Sequence, residues 1–235
     1  MNPLGGAAPD LVTLTALTEA FAQTVPTVPA DVPVPWCGSW LVGDLVEHLA
    51  QVHHWAAGQA QRREAEPVAW SPAQAEDGYR RCAHELLTTL ATLAPDSPAW
   101  TLDESGVSGF WHRRQVHETL VHLWDLRTAG GSGLDVPPAL WADTVDEVVA
   151  VMAPRQVRLG RLALPARAVT LVATDTPGRW TLPSAQAGAP AATVHGPAAA
   201  LALLLWARTG LDDPTLHVTG DATAVHEALA GALTP

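Results

Sequence analysis

The chain contains no lysine, two cysteines, one tyrosine and two phenylalanines. All 13 basic residues are arginine, and 24 acidic residues leave a formal net charge of −11, which argues against nucleic acid or an anionic membrane as a partner. Two cysteines are too few for a disulfide framework. The longest apolar run, residues 198–207, is too short to span a bilayer, and the N-terminus lacks the features of a secretory signal. We therefore expect a soluble, cytoplasmic protein.

The first two thirds of the chain have the apolar periodicity of helices. This spacing, together with capping residues, predicts helices from Asp10 to about 23, over about 42–63, from Ser71-Pro72 to about 93, over about 108–128, and from Pro137 or Pro138 through Met152. The proline-rich segment before the second helix ends in Trp36 and Trp40, which we expect to pack onto the core. Four long helices in sequence predict an antiparallel bundle.

The pattern changes after about Gly160, where short alternating segments replace the long helices. The segments ALPARAVTLVAT, RWTLP, AATVHG and LHVTGD are typical of strands. Between them, PAAALALLLWARTG predicts a buried helix, and Asp221 can cap a terminal one. The fold class is therefore α + α/β with two domains: a helical bundle over residues 1–158 and a small α+β domain over residues 159–235.

The fourth helix has a line of polar residues on one face. Residues three or four apart stack on a helix, which aligns the side chains of Arg114, Glu118, His122 and Asp125. A carboxylate and an imidazole one turn apart can bind one divalent metal ion, for which Zn²⁺ is the natural candidate. The alternative is a solvated face with an ordinary contact between Glu118 and His122.

A third ligand is available on the second helix. His48 lies close beside the apolar stripe of that helix, and it can be either a metal ligand or a core histidine with a satisfied hydrogen bond. His53 and His54 point in other directions at 100° per residue, so the three histidines cannot all bind one ion.

Two segments together resemble the signatures of one family. VPWCGSWLVGDLVEHLAQVHHWA and FWHRRQVHETLVHLWDL resemble the paired signatures of the mycothiol-dependent maleylpyruvate isomerase family, and GPAAALALLLWARTGLDDPTLHVTGD resembles the small C-terminal domain of that family. The resemblance implies a DinB-like four-helix bundle that carries a divalent metal, usually zinc. Carried onto this chain, the metal ligands are His48, Glu118 and His122.

The chain departs from the family pattern at three places. The family motif Cys-Pro-Gly-Trp is here the segment 37–40, Cys-Gly-Ser-Trp. Leu41 occupies the capping position without a side-chain acceptor, so the backbone N–H groups there need another partner, such as Asp44 or water. Leu123 follows the fourth-helix histidine, where family members usually have arginine. We therefore expect a different loop shape and different contacts near the substrate entrance.

Three protein ligands leave a tetrahedral ion with one open position. Water in that position would make the protein a metallohydrolase. The resemblance implies instead that mycothiol binds through its sulfur as a thiolate, which adds to a small electrophile and catalyses cis–trans isomerisation. Without the elimination step, the same site would be a mycothiol S-transferase. A metal- or thiol-binding module without turnover is a further alternative, from a different class.

Other polar residues are candidates for supporting roles. Asp125 either accepts a ring N–H from a ligand histidine or faces solvent. Four arginines are candidates for binding a carboxylate of the substrate or thiol: Arg80, Arg81, Arg114 and Arg208. Solvation or ordinary ion pairing is the alternative for each, and for Arg208 specifically an interdomain salt bridge. We interpret Cys37 and Cys82 as structural, since no base lies at a spacing that would activate either thiol.

Overall fold

A computed structural model describes residues 9–186 and 188–234. Its eight α-helices within these residues are α1 (Leu11–Thr24), α2 (Val42–Ala60), α3 (Ala75–Thr92), α4 (Gly109–Ala129), α5 (Pro138–Glu147), α6 (Ala153–Arg158), α7 (Ala198–Leu205) and α8 (Ala222–Leu229). The strands are β1 (Val169–Ala173), β2 (Arg179–Thr181), β3 (Ala192–Gly196) and β4 (His217–Gly220). None of the helices in the described ranges is both long and apolar enough to cross a membrane.

Contacts between residues divide the chain into two compact units. The first ends at Val136 and the second begins at Pro137. The boundary expected from the sequence, between residues 158 and 159, lies beyond α5 and α6. Helix α5 belongs to the second unit because it packs against α7.

The first unit is a four-helix bundle. Helix α2 packs against α3 and α4, and α1 packs against the same two helices. Asp10 begins α1 as predicted, since its carboxylate accepts the N–H of Thr13 at 2.8 Å. The apolar stripe of α1 is fully buried at Leu14, Leu17 and Phe21. Burial of such stripes, rather than helix propensity alone, stabilises the bundle.

The start of α2 needs a substitute for a side-chain cap. Leu41 cannot accept a hydrogen bond through its side chain, but its own N–H donates to Asp44 Oδ2 at 2.9 Å. The preceding loop differs from the sequence-based expectation at Trp36, whose side chain is 59 % exposed instead of packed onto the core. Its φ of +67° places the residue in the left-handed region, which a residue other than glycine adopts uncommonly. Trp40 is half-buried.

The second unit is built on a four-stranded sheet in the order β2-β1-β3-β4. The central pair, β1 and β3, is parallel, whereas the outer pairs are antiparallel. Helices α7 and α8 pack on this sheet. Asp221 caps α8 as predicted, because it accepts the N–H of Thr223 at 2.8 Å.

Two helices of this unit differ from the sequence prediction. The fifth predicted helix changes to π geometry over Val148–Met152 and continues directly into α6. Pro154 has no N–H with which to make an α-helical hydrogen bond. Just before it, the N–H of Ala153 bonds to the carbonyl of Val148, five residues back, in the wider π turn. Helix α7 ends at Leu205, so the prediction that Arg208 lies on a helix is wrong; Ala207, with φ of +56°, has already left the helical path.

Candidate metal centre

Helices α2 and α4 bring three potential metal ligands together. His48 comes from α2, and Glu118 and His122 lie one turn apart on α4. One ligand atom from each lies within 4.8 Å of the others. Glu118 Oε1 is 3.6 Å from His48 Nε2 and 3.2 Å from His122 Nε2. The sequence left open whether His48 is a metal ligand or a core histidine. In the structure its ring faces Glu118.

The two other polar residues of the α4 line, Arg114 and Asp125, each contact one member of this cluster. The guanidinium of Arg114 donates to Glu118 Oε2. On the other side, His122 Nδ1–H donates to Asp125 Oδ2 at 3.0 Å, and Asp125 is fully buried. Of the two alternatives for Asp125, a contact with a histidine ring or exposure to solvent, the structure has the first. Nε2 of His122 faces Glu118 in the cluster.

Burial and charge act against each other in the cluster. Burial alone would raise the pKa of Glu118, but the charge of Arg114 and hydrogen bonds from His122 and His48 hold it well below its usual range. Burial alone would lower the pKa of His122, but hydrogen bonds to Asp125 and Glu118 raise it to about 9. Both shifts favour the charged forms, a Glu118 carboxylate beside a protonated imidazole of His122.

The cluster is accessible on one side. The side chain of His48 is 36 % exposed, compared with 13 % for Glu118 and 4 % for His122. The ring of Trp40 lies against His48 with the centroids 4.8 Å apart. The exposed edge of the cluster is therefore at His48, beside the ring of Trp40.

Cys37 is a residue near the site that the sequence did not reveal. Its thiol donates to Asp125 Oδ2 over 3.7 Å, so Asp125 accepts hydrogen bonds from Cys37 and His122 together. The contact joins residues 88 apart in the chain, so no rule of spacing within one helix or strand predicts it. The available signals were its position in the loop that leads directly into the His48 helix and the family motif that begins at Cys37.

The remaining histidines of α2 have other partners, as their angular positions predicted. His53 is fully buried, with Nδ1 2.8 Å from Gln115 Oε1. His54 Nδ1 lies 2.6 Å from a carboxylate oxygen of Glu85.

Two of the other candidate arginines, Arg80 and Arg81, lie on α3 and not on the helices that carry the cluster. Arg80 binds Glu19 and Glu76, each at 2.9 Å. Arg81 is exposed on α3. Arg208 belongs to the second unit, where its guanidinium donates to the carbonyl oxygen of Trp206 at 2.9 Å. Their role in binding a carboxylate stays a prediction.

The donor set of the cluster fits a divalent ion. Two imidazole nitrogens and one carboxylate oxygen are the ligands of many catalytic zinc sites, and such sites keep one position open. The hydrogen bond from His122 to a buried carboxylate is also the arrangement that orients zinc-bound histidines in proteins.

Fold and site together define a two-unit protein with a His/Glu/His cluster inside a helical bundle. Residues 11–127 match the family model described as mycothiol maleylpyruvate isomerase N-terminal domain, and residues 139–227 match the MDMPI C-terminal domain. The chain therefore belongs to the mycothiol maleylpyruvate isomerase family, as its two signature segments indicated.

Two solved structures have the same fold. They are crystal structures of the mycothiol-dependent maleylpyruvate isomerase and of a histidine-to-alanine mutant of it. Their identities to this chain are 11 % and 12 %, with TM-scores of 0.65 and 0.66, and each match covers 90 % of this chain and 92 % of that chain. No curated protein sequence matches the chain. The structural likeness confirms the predicted fold class of a helical bundle followed by a small sheet domain.

Proposed function

We propose that the protein is a mycothiol-dependent isomerase that acts on a small electrophile with a cis double bond, of the maleylpyruvate type. The observation that carries the proposal is the convergence of His48, Glu118 and His122, whose ligand atoms lie within 4.8 Å of one another at an accessible point of the bundle. Family membership supports mycothiol as the thiol. The solved relatives that share the fold are named for maleylpyruvate isomerisation.

In this proposal the three residues hold a divalent ion, and zinc suits their nitrogen and oxygen donors. When bound, such an ion supplies an open position at which a thiol is deprotonated and becomes nucleophilic. Arg114 keeps Glu118 ionised, and Asp125 fixes the ring of His122 through Nδ1. Trp40 and the exposed part of His48 form the wall along which the substrate approaches.

The substrate chemistry needs three events. The sulfur of the thiol adds to one carbon of the double bond, the new single bond rotates, and the thiol is eliminated with the double bond restored in the trans form. The thiol is regenerated and no net oxidation occurs. A conjugating S-transferase would stop after the addition, so the two activities differ in their products and in consumption of thiol.

The test begins with zinc content and mycothiol affinity of the wild type and of His48→Ala, Glu118→Gln and His122→Ala. His54→Ala is the matched control, because it removes an imidazole from the same helix that bonds to Glu85 rather than to the cluster. We expect stoichiometric zinc in the wild type and the control, loss of zinc in the three cluster variants, and thiol binding only by zinc-loaded protein. Zinc retained by all three cluster variants would refute the assignment.

Turnover then separates the alternatives. The isomerase converts maleylpyruvate to the trans product without net consumption of mycothiol. Accumulation of a thiol adduct would indicate the S-transferase. Hydrolysis of a substrate in the absence of thiol would indicate a metallohydrolase. Metal and thiol binding without turnover of any electrophile would indicate a binding module.

A further inference from the structure

The two carboxylate oxygens of Glu118 have different partners. Oε1 faces the imidazoles, 3.2 Å from His122 Nε2 and 3.6 Å from His48 Nε2. Oε2 accepts a hydrogen bond from the guanidinium of Arg114. Arg114 lies one turn before Glu118 on α4 and is only 3 % exposed, so this contact is shielded from water.

The partner of Oε2 decides how many positions the carboxylate can fill. Two imidazoles and two carboxylate oxygens would fill the four positions of a tetrahedral zinc ion, and a thiol could then bind only as a fifth ligand. Two imidazoles and one oxygen leave the single open position that catalytic zinc sites have. A buried, charge-assisted hydrogen bond from arginine is among the stronger contacts that a carboxylate oxygen makes.

We propose that Arg114 is a positioning residue that holds Oε2 of Glu118 away from the ion, so that the carboxylate binds through Oε1 alone and a position stays open for the thiol. The inference rests on the proposed metal site. It gives Arg114 a different task from the one expected from the sequence, because its buried guanidinium donates to the carboxylate of Glu118.

The experiment compares the zinc-loaded wild type with Arg114→Met and Arg114→Lys. Methionine retains an unbranched side chain but cannot donate, whereas lysine keeps the charge and one point of donation. Arg63→Met is the matched control, since it removes an exposed arginine whose carboxylate partner is Glu85. The readouts are zinc content, mycothiol affinity and the zinc coordination shell from X-ray absorption before and after addition of thiol.

We expect Arg114→Met to retain zinc, to gain an oxygen neighbour at the ion and to lose thiol affinity by about tenfold or more. Its spectrum should show no sulfur at the thiol concentration that saturates the wild type. Arg114→Lys should recover most of the affinity, and Arg63→Met should match the wild type. Zinc and thiol binding by Arg114→Met equal to the wild type would overturn the inference.

A measurement on the wild type covers the case in which Arg114→Met does not fold. A crystal structure of the zinc-loaded protein with both oxygens of Glu118 at bonding distance would overturn the inference, and one with Oε2 on Arg114 would support it. Absence of zinc binding by the wild type would refute the proposed function itself. Zinc and thiol binding by the wild type, together with an unaltered Arg114→Met, would refute only the role of Arg114.

Discussion

Acidification is expected to destabilise the helical bundle through His53. This imidazole is fully buried, with Nδ1 2.8 Å from Gln115 Oε1 on α4 and Nε2 3.4 Å from the hydroxyl of Tyr79 on α3. Burial lowers the pKa of His53 from 6.5 to about 4, although the hydrogen bond to Gln115 opposes the shift. The folded protein therefore holds His53 neutral at a pH at which the unfolded chain protonates it.

The sign and size follow from proton linkage. The contribution of neutral His53 is present in full above pH 6.5 and is lost as the pH falls through the folded pKa of about 4. With 1.36 kcal/mol for each pKa unit, the loss in unfolding free energy is about 2 kcal/mol at pH 5 and about 3 kcal/mol at pH 4.

The assay uses the single tyrosine of the chain, Tyr79, which contacts His53. Fluorotyrosine incorporation gives one ¹⁹F signal that reports on the bundle, and urea titrations of the metal-free protein at pH 7, 5 and 4 give its unfolding free energy. His53→Gln keeps a donor for Gln115 but does not titrate, so its stability should fall less by the amounts given above. His84→Gln, at an exposed histidine of α3, should follow the wild type.

Equal pH dependence of the wild type and His53→Gln would refute this reasoning. It would mean that His53 is protonated equally in the folded and unfolded chains, or that its burial is relieved by local opening of α2.

Further changes test single contacts. Asp125→Asn should weaken zinc binding about 10- to 100-fold, measured by competition with a chromophoric chelator, because the amide lacks the charge that orients His122; unchanged affinity would contradict this role. Asp10→Ala should lower the unfolding free energy of the bundle by about 1 kcal/mol through loss of the α1 cap, and Asp10→Ser should restore most of it in the same urea assay. Gly220→Ala should destabilise the second unit by about 1–3 kcal/mol in thermal unfolding, since φ is +86° and a Cβ would lie 2.5 Å from the carbonyl oxygen of Ala191. Gly160→Ala shares the positive φ without the clash and should cost less; equal losses would show that the clash contributes nothing.

The sequence predicted the bundle and the α4 line well because both depend on local spacing. Side chains three and four apart share a helix face whatever the tertiary structure, so the alignment of Arg114, Glu118, His122 and Asp125 followed from the helix alone. The cap at Asp10 is equally local. The approach of His48 to Glu118 needed the family resemblance, because no rule of spacing links α2 to α4.

The errors concern backbone paths that periodicity does not encode. Trp36 has a positive φ and is exposed, although tryptophan is usually a largely buried residue. Helix α7 ends at Leu205, and Ala207 already has a left-handed backbone conformation. The apolar run in which both lie contains no glycine or proline that would have predicted this end. Pro154, in contrast, was a visible signal for irregular helix geometry, and the π turn is located just before it.

The distribution of the ligands over two helices has a consequence for biosynthesis. Glu118 and His122 are four residues apart and come together as soon as α4 forms, whereas His48 reaches them only when α2 and α4 pack. During translation α2 leaves the ribosome before α4, the last helix of the bundle, so His48 is exposed to solvent before Glu118 and His122 are synthesised. The three potential ligands of the proposed metal site are therefore together only after the bundle has closed. We expect any ion loading at this site to follow bundle closure.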